Sequence, residues 1–256
     1  MSSERFLPPL ESSGANSPAF QNNSIASASD AFVIRQAAVS TALASVFRGK
    51  FCDVILPNRK ATTFSKGHVI YDVGEKDRTF FFLLNGFVKV GAITPGGHEL
   101  IYDVRKGGDV VGELCASRHD RPDRAVALER TEAIPVPYLE MAELMRKQPD
   151  LLDRLVDLFC RALTDAYEQV NILAADDTVH RLVKALLRLA AKIGHPSGHL
   201  VEIPTYLTQE EIAQMIAARR ESVSTALNFL RRRALLHYSN HGYLTLDVAA
   251  LEQYCN

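Results

Sequence analysis

Apolar and polar positions change period along this chain, and each change predicts a different kind of element. Between residues 51 and 140, short runs rich in β-branched and aromatic side chains (HVIY, TFFFLL, FVKVGAI, LIYDV) are separated by turn signals at Asn85-Gly86, Pro95-Gly96-Gly97 and Gly107-Gly108-Asp109. Nine of the fourteen glycines lie between Gly67 and Gly112, within the same stretch. Runs that short, broken about every eight to twelve residues, predict hairpins and an antiparallel barrel or sandwich.

From Met141 the period becomes helical. Leu152, Leu155, Phe159, Ala162, Ala166 and Leu173 recur at three- and four-residue steps, and Leu151, Leu158, Leu163 and Val170 form a second apolar stripe on the same helix. A helix apolar on two faces needs two partners: the β-domain and, most economically, the same helix of a second copy, in a two-fold coiled coil. Burial within one monomer is the alternative. After a helix start at Asp176-Asp177 comes a second apolar helix, Val179 to Ile193, and then a Gly/Pro loop from Gly194 to Gly198. The last segment reads as a short strand (LVEIP), two helices joined by a tight turn (TQEEIAQMIAARRESVSTALNFLRRR) and a hairpin turning at Asn240-His241-Gly242. Helix, helix, hairpin is the order of a winged helix-turn-helix.

Composition adds the tail and the class. The first thirty residues hold eight serines, three asparagines and three prolines, too little bulk to offset the entropy of ordering them. They read as a flexible extension, followed by a stretch from Ala31 to Phe47 that permits a short helix. The whole chain, 256 residues with 47% apolar and 23% charged, has the balance of a globular protein. It lacks a run long enough for a membrane helix and a signal-peptide start, which predicts a cytoplasmic protein without a membrane partner. Cys52, Cys115, Cys160 and Cys255 lie too far apart for a CxxC site and read as free thiols, with Cys160 packed in a core. The net charge is −1, so any case for a polyanionic partner rests on local clustering of positive charge.

That clustering lies near the C-terminus. Thr208 and Glu211 form a capping box that opens a helix with Ile212, Ala213 and Ile216 facing inward. In the next helix Val223, Ala226, Leu227 and Leu230 take the buried face, leaving Arg219, Arg220, Glu221, Ser224, Thr225 and Asn228 outward. A helix fits the DNA major groove, where arginine pairs with guanine O6 and N7 and glutamate accepts from cytosine N4. Arg220 and Glu221 sit at the helix start for that task, and Arg231, Arg232 and Arg233 suit phosphates. A solvated charged face is the plainer alternative; the capping box, turn and wing together favour DNA.

A second constellation spans residues 108 to 127, GDVVGELCASRHDRPDRAVA. Backbone amides at Gly112, Glu113 and Leu114, with the Glu113 carboxylate and the Arg124 guanidinium, suit a ligand carrying a phosphate and a ribose hydroxyl. Alternatively Glu113 and Arg124 pair and fix a loop.

With these residues the chain resembles the CRP/FNR family of bacterial transcription regulators over about residues 60 to 246, through FSKGHVIYDVGE, FLLNGFVKV, GDVVGEL with DRAVA, QPDLLDRL and QEEIAQMIAARRESVSTAL. The resemblance implies an α+β protein: a flexible extension (1–45), an antiparallel β-roll or jelly roll of the cyclic-nucleotide-binding kind (46–147), a dimerisation helix (148–174) and a C-terminal winged helix-turn-helix (175–256). It places Gly112, Glu113, Leu114, Arg124 and Ala125 on the family's phosphate-binding cassette, Glu113 toward a ribose 2′-hydroxyl and Arg124 toward a cyclic phosphate. It places Arg220 and Glu221 on the base-reading pair and Ser224 on a serine of the FNR branch. The implied ligand is cyclic AMP, cyclic GMP or cyclic di-GMP; the implied partners are palindromic double-stranded DNA, a second copy and RNA polymerase.

The chain departs from the family's pattern at several positions. The Thr-Ser pair that holds adenine in cyclic-AMP-binding members is Ala166 and Tyr167 here, so Tyr167 either stacks on a base or fills the pocket. Thr225 replaces a third base-reading arginine. Ala217 replaces the turn glycine, which is tolerable where the backbone avoids a positive φ. The clustered cysteines of an iron-sulfur sensor are missing. Two further readings remain: a ligand-independent regulator of the same architecture, and a cyclic-nucleotide module controlling a partner enzyme. His195 and His199 lie on a loop and read as solvated rather than metal-binding, His237 and His241 bracket the wing, and a haem would need His68, His98 or Cys115. No Ser/His/Asp, HExxH or Walker arrangement supports catalysis.

Overall fold

The computed structural model describes residues 59–116, 120–147, 149–174 and 177–255. The serine-rich extension and the helix expected over residues 31–47 lie outside them. The β-region forms eight strands: β1 (Thr62–Phe64), β2 (Val69–Tyr71), β3 (Thr79–Asn85), β4 (Phe87–Ile93), β5 (Glu99–Lys106), β6 (Val110–Val111), β7 (Arg124–Ala127) and β8 (Thr131–Pro137). They make two four-stranded antiparallel sheets, ordered β1-β8-β3-β6 and β2-β7-β4-β5. Phe64, Tyr71, Phe81, Leu83, Val88, Val90, Val111, Ala125, Ala127 and Ala133 fill the space between the sheets. The roll is thus an antiparallel jelly roll.

The run TFFFLL has no polar alternation because β3 is buried on both faces. Phe81 and Leu83 enter the roll, while Phe80 and Phe82 join Val110, Ile134 and Val136 under Met141 of helix α1 (Tyr138–Lys147). Only one of the three turn signals closes a hairpin. Pro95-Gly96-Gly97 joins β4 to its neighbour β5, whereas Asn85-Gly86 and Gly107-Gly108-Asp109 carry the chain from one sheet to the other. Gly86 has φ +82, and a Cβ there would meet Thr131 Oγ1 at 2.5 Å.

Helix α2 (Pro149–Leu173) follows, then α3 (Thr178–Ile193), opened by Asp177, whose side chain accepts from the His180 amide. The stretch read as a loop is a second hairpin, β9 (His195–Ser197) with β10 (Leu200–Glu202), and His195 lies opposite Glu202. Helices α4 (Gln209–Met215) and α5 (Arg220–Arg232), the hairpin of β11 (Leu236–Tyr238) and β12 (Leu244–Leu246), and a final α6 (Val248–Cys255) complete the chain. The last helix was not legible as a separate element: its eight residues show one apolar stripe, Val248 and Leu251, and its start is held by Asp247, which accepts from the Ala250 amide. The C-terminal core does not stop at the helices, since Ile101 and Val104 of β5 and Leu128 pack with Leu182, Leu186, Ile212 and Ile216.

Ala217 corrects an expectation. Its φ is +48, in the left-handed region, and Ala234 stands at +57. Both follow a helix-turn-helix element as the reversing residue of a Schellman closure: the Ala218 amide donates to Ala213 O at 3.0 Å and the Leu235 amide to Leu230 O at 3.1 Å. The left-handed conformation costs a residue with a Cβ about 1–2 kcal/mol, part of which glycine forfeits through a more flexible unfolded chain. Ala217→Gly and Ala234→Gly should therefore each stabilise the protein by roughly 0.5–1 kcal/mol. Urea unfolding checks this; an unchanged or lower midpoint for both would mean that the strain is relieved elsewhere.

Candidate nucleic-acid interface and effector site

The helix-turn-helix is fixed from below by the residues expected to fix it. Thr208 Oγ1 accepts from the Glu211 amide at 3.1 Å and Glu211 Oε2 accepts from the Thr208 amide at 2.9 Å, closing the capping box. Ile212, Ala213, Ile216, Val223, Ala226, Leu227 and Leu230 are all buried. That packing leaves Arg219, Arg220, Glu221, Thr225, Asn228 and Arg231 exposed along one side of α5, with Ser224 half-buried among them. Arg219 occupies the cap position without a side-chain hydrogen bond. The Thr225 hydroxyl donates to Glu221 O at 3.0 Å, so this side chain spends its donor inside the helix. Arg233 lies 4.4 Å from the Phe229 ring and is thereby held to its own helix. His237 and Tyr238 are exposed on β11, and His241 beside the Gly242 turn, on the wing flanking α5.

In the roll, Gly112, Glu113 and Leu114 stand where β6 ends in a 3-10 turn over Glu113–Ala116. Gly112 has φ +84, and a Cβ there would sit 2.7 Å from Thr79 O and 2.8 Å from Arg121 Nη1. Glu113 and Arg124 do not pair. Arg105 Nη2 lies 3.5 Å from Glu113 Oε1, and Arg124 Nε lies 3.5 Å from Asp72 Oδ1. Strand pleating explains the second pairing. Tyr71 stands opposite Ala125, and both face the interior, so Asp72 and Arg124 form the next cross-strand pair on the other side of the sheet.

The charged residues that do face the interior were not picked out from the sequence. Arg121 is 2% exposed, stacked 3.9 Å from the Tyr71 ring centroid, with Nη2 donating to Thr79 O at 2.8 Å. Asp123 is 3% exposed and accepts from the Tyr71 hydroxyl at 3.2 Å. Burial, and then the charge of Glu113, raise the Asp123 carboxyl to about 6. RPDRAVA displays two arginines three apart, and only the register of β7 decides which one the roll encloses.

A chain of charges leads from the cassette to the helix-turn-helix unit. Arg105, paired with Glu113, also holds Asp103 at 2.8 Å. Asp103 accepts from Lys192 of α3 and lies 3.9 Å from Arg188, and Lys192 reaches Asp165 of α2 at 3.4 Å. Burial alone would raise the Asp103 carboxyl; Lys192, then Arg105 and Arg188, outweigh it and hold it down at about 2. Lys89 of β4 meets Glu211 at 3.5 Å, so the capping box itself touches the roll.

Helix α2 turns its inner side to this unit. Gln169 donates to Met215 O at 2.7 Å and accepts from Arg188 at 2.6 Å, and Ile172 is buried. Its other side is bare: Val156, Phe159, Leu163, Tyr167, Val170 and Leu173 are 37–62% exposed. Cys160, expected in a core, is exposed here as well. Tyr167 therefore stands on this apolar stripe, 62% exposed, and not against the cassette of its own chain. No helix among the described residues is long and apolar enough to cross a membrane, and no cluster of three or more His, Cys, Asp or Glu among them is arranged to hold a metal ion.

Comparison with known proteins agrees with both halves. The cyclic nucleotide-binding domain model matches residues 61–148 and the Crp-like helix-turn-helix domain model residues 180–254. The cAMP-activated global transcriptional regulator CRP of Salmonella typhimurium is 31% identical over 183 residues, 70% of this chain and 84% of that protein. A CRP-like cAMP-activated global transcriptional regulator of Mycobacterium tuberculosis is 27% identical over 185 residues, 72% of this chain and 83% of the other. Among solved structures, a CRP-family transcriptional regulator from Thermus thermophilus superposes with a TM-score of 0.64 at 26% identity, covering 76% of this chain and 96% of that one.

Proposed function

The chain belongs to the CRP/FNR family of transcription regulators, and from that premise we propose that two copies join along α2 to read an inverted-repeat DNA site under control of a ligand in the β-roll. The carrying observation is the bare stripe on α2. Val156, Leu163 and Val170 recur every seven residues, as do Phe159, Ala166 and Leu173. That is the a/d repeat of a coiled coil, and a second copy of the same helix satisfies it. A two-fold pair of α5 helices then meets successive turns of one duplex, with half-sites about 34 Å apart. The protein is not an enzyme in this reading, works in the cytoplasm and acts on promoters alongside RNA polymerase.

In the same reading Arg219, Arg220, Glu221, Ser224, Thr225, Asn228 and Arg231 form the DNA face. Gly112, Glu113, Leu114 and Ala125 line the ligand site, and Tyr167 reaches it only across the pair of helices. Cyclic nucleotides are the ligand class that both cAMP-activated relatives suggest. The ligand acts by population shift: it favours the DNA-ready arrangement to the extent that it binds that arrangement better. The charge chain from Glu113 through Arg105 and Asp103 to Lys192 gives such a preference a physical route to α3.

Sedimentation with and without a palindromic fragment, at physiological salt, tests the reading. A dimer that binds one fragment supports it; a monomer indifferent to every inverted repeat ends it. Within the complex, Arg220→Ala should lose about 1–3 kcal/mol of discrimination at one base pair. Equal loss on all sequences, read by competition titration, would make Arg220 a phosphate contact instead.

A further inference from the structure

We propose that Gln169 is the positioning residue that fixes the recognition helix α5 to helix α2, and so sets how far apart two half-sites must lie. The inference rests on the reading that two copies join along α2, and names the side chain that passes the geometry of that pair to the DNA face. Helix α4 ends at Met215, and the carbonyls at a helix end have no partner within the helix. Here they are met from outside the helix-turn-helix: the Gln169 side-chain amide donates to Met215 O at 2.7 Å, and Arg181 Nη1 of α3 donates to Ile216 O at 3.2 Å. Ala217 follows as the left-handed reversal at φ +48, and α5 begins at Arg220. The Ala218 amide closes that turn onto Ala213 O at 3.0 Å, so a shift of Met215 O is carried into α5 rather than absorbed by the turn.

The chemistry of glutamine suits this task. Gln169 Oε1 accepts from Arg188 at 2.6 Å while its amide donates to Met215 O, so only one orientation of the amide satisfies both partners. Ionised glutamate lacks the donor, and lysine lacks the acceptor. On α2 the next residue is Val170, 61% exposed on the bare stripe, so the same turn of helix faces the second copy and holds the helix-turn-helix. Ile172 shares a core with Ile212 and Ile216, but apolar packing has no direction, whereas a hydrogen bond has one. Arg188 also lies 3.9 Å from Asp103 of the buried charge chain, so α2, the roll and the reading head meet at this amide. In a two-fold dimer the separation of the two α5 helices follows from how each is held to α2. Without the Gln169 bond α5 stays folded, because its core of Val223, Ala226, Leu227 and Leu230 is untouched. Its angle to α2 is then less fixed, and the pair accepts more than one spacing.

The test uses the full-length protein and half-sites that it selects from a random DNA pool, rebuilt as inverted repeats at the preferred spacing and at one base pair shorter and longer. Fluorescence anisotropy gives the affinity for each repeat and for a single half-site, and sedimentation gives the mass. Gln169→Met should leave mass and half-site affinity unchanged and reduce the discrimination between preferred and neighbouring spacings about fivefold, the worth of one hydrogen bond. Gln169→Glu keeps the acceptor for Arg188 but not the donor, and should lose discrimination as well, so it decides the matter if Gln169→Met does not fold. Unchanged discrimination in an intact dimer means that Gln169 only fills space, and overturns the proposal. So does a monomeric variant, or an equal loss on every fragment including the half-site, because Gln169 would then support dimerisation or the fold of the reading head. Wild-type protein that binds all spacings equally also overturns it, since no spacing would be set. Wild-type protein that binds no inverted repeat at all is a different result: it ends the regulator reading, and this proposal with it.

Discussion

Leu163→Lys should turn the protein into a monomer and weaken binding to an inverted-repeat site by a factor of about 10²–10⁴. Leu163 is 52% exposed in the single chain and lies midway along the stripe of Val156, Leu163 and Val170. Burying a leucine there contributes about 1.5–3 kcal/mol per copy, and around a two-fold axis the substitution counts twice and sets two ammonium groups face to face. The DNA face on α5 is untouched, so affinity for a single half-site should persist. What disappears is the linkage that makes the second half-site an intramolecular contact. Sedimentation equilibrium and fluorescence anisotropy on full and half sites separate these effects. Leu139→Lys provides the control: Leu139 is 75% exposed on α1, off the stripe, and its replacement should change neither mass nor affinity. A Leu163→Lys protein that stays dimeric would place the interface elsewhere and leave the stripe without a role.

The helix-turn-helix was largely legible in the sequence because its determinants are local. Thr208 and Glu211 are three residues apart, and Val223, Ala226, Leu227 and Leu230 follow one helical face, so no distant contact is needed to orient Arg220 and Glu221. Strands give no such guarantee. Shifting the register of β7 by one residue exchanges the faces of Asp123 and Arg124, and a sequence does not print its register. The cassette was therefore found while the arginine enclosed with it was not. The apolar stripes of α2 were visible, but how they divide between inner and outer sides depends on where α3 and the roll dock, which is why Cys160 emerged exposed. Ala217 shows a local rule overridden: the turn demands a left-handed residue, and the chain meets that demand with alanine at a cost in strain. Lys192, Asp103 and Arg105 carry no local signal in the sequence, and they form a buried seam only because β5 packs against α3.

That seam should make Lys192→Met destabilising out of proportion to its size. Lys192 is 6% exposed, and its ammonium is shared between Asp103 and Asp165. Methionine keeps much of the aliphatic stem while removing the charge, so lost packing contributes little. Breaking a buried pair by deleting one partner costs about 3–5 kcal/mol; because Arg105 and Arg188 still face Asp103, the lower part of that range is expected here. The acid branch of the stability curve gives a second readout. Asp103 is held at about 2 in the folded protein, against an ordinary value of 3.8, so its contribution is complete above about pH 4 and is lost as the pH falls toward 2. With the ammonium gone, the folded carboxyl titrates higher and that loss begins at higher pH. Urea unfolding of Lys192→Met, Asp103→Asn and the double variant between about pH 2.5 and 7 closes the cycle, with a coupling energy of about 1–3 kcal/mol. Additive effects with an unchanged acid limb would mean that the Asp103–Lys192 seam does not help hold the roll to the helix-turn-helix unit, which then rests on Ile101, Val104 and Leu128 and on the Lys89–Glu211 pair, and that no charge carries the signal from Glu113 to α3.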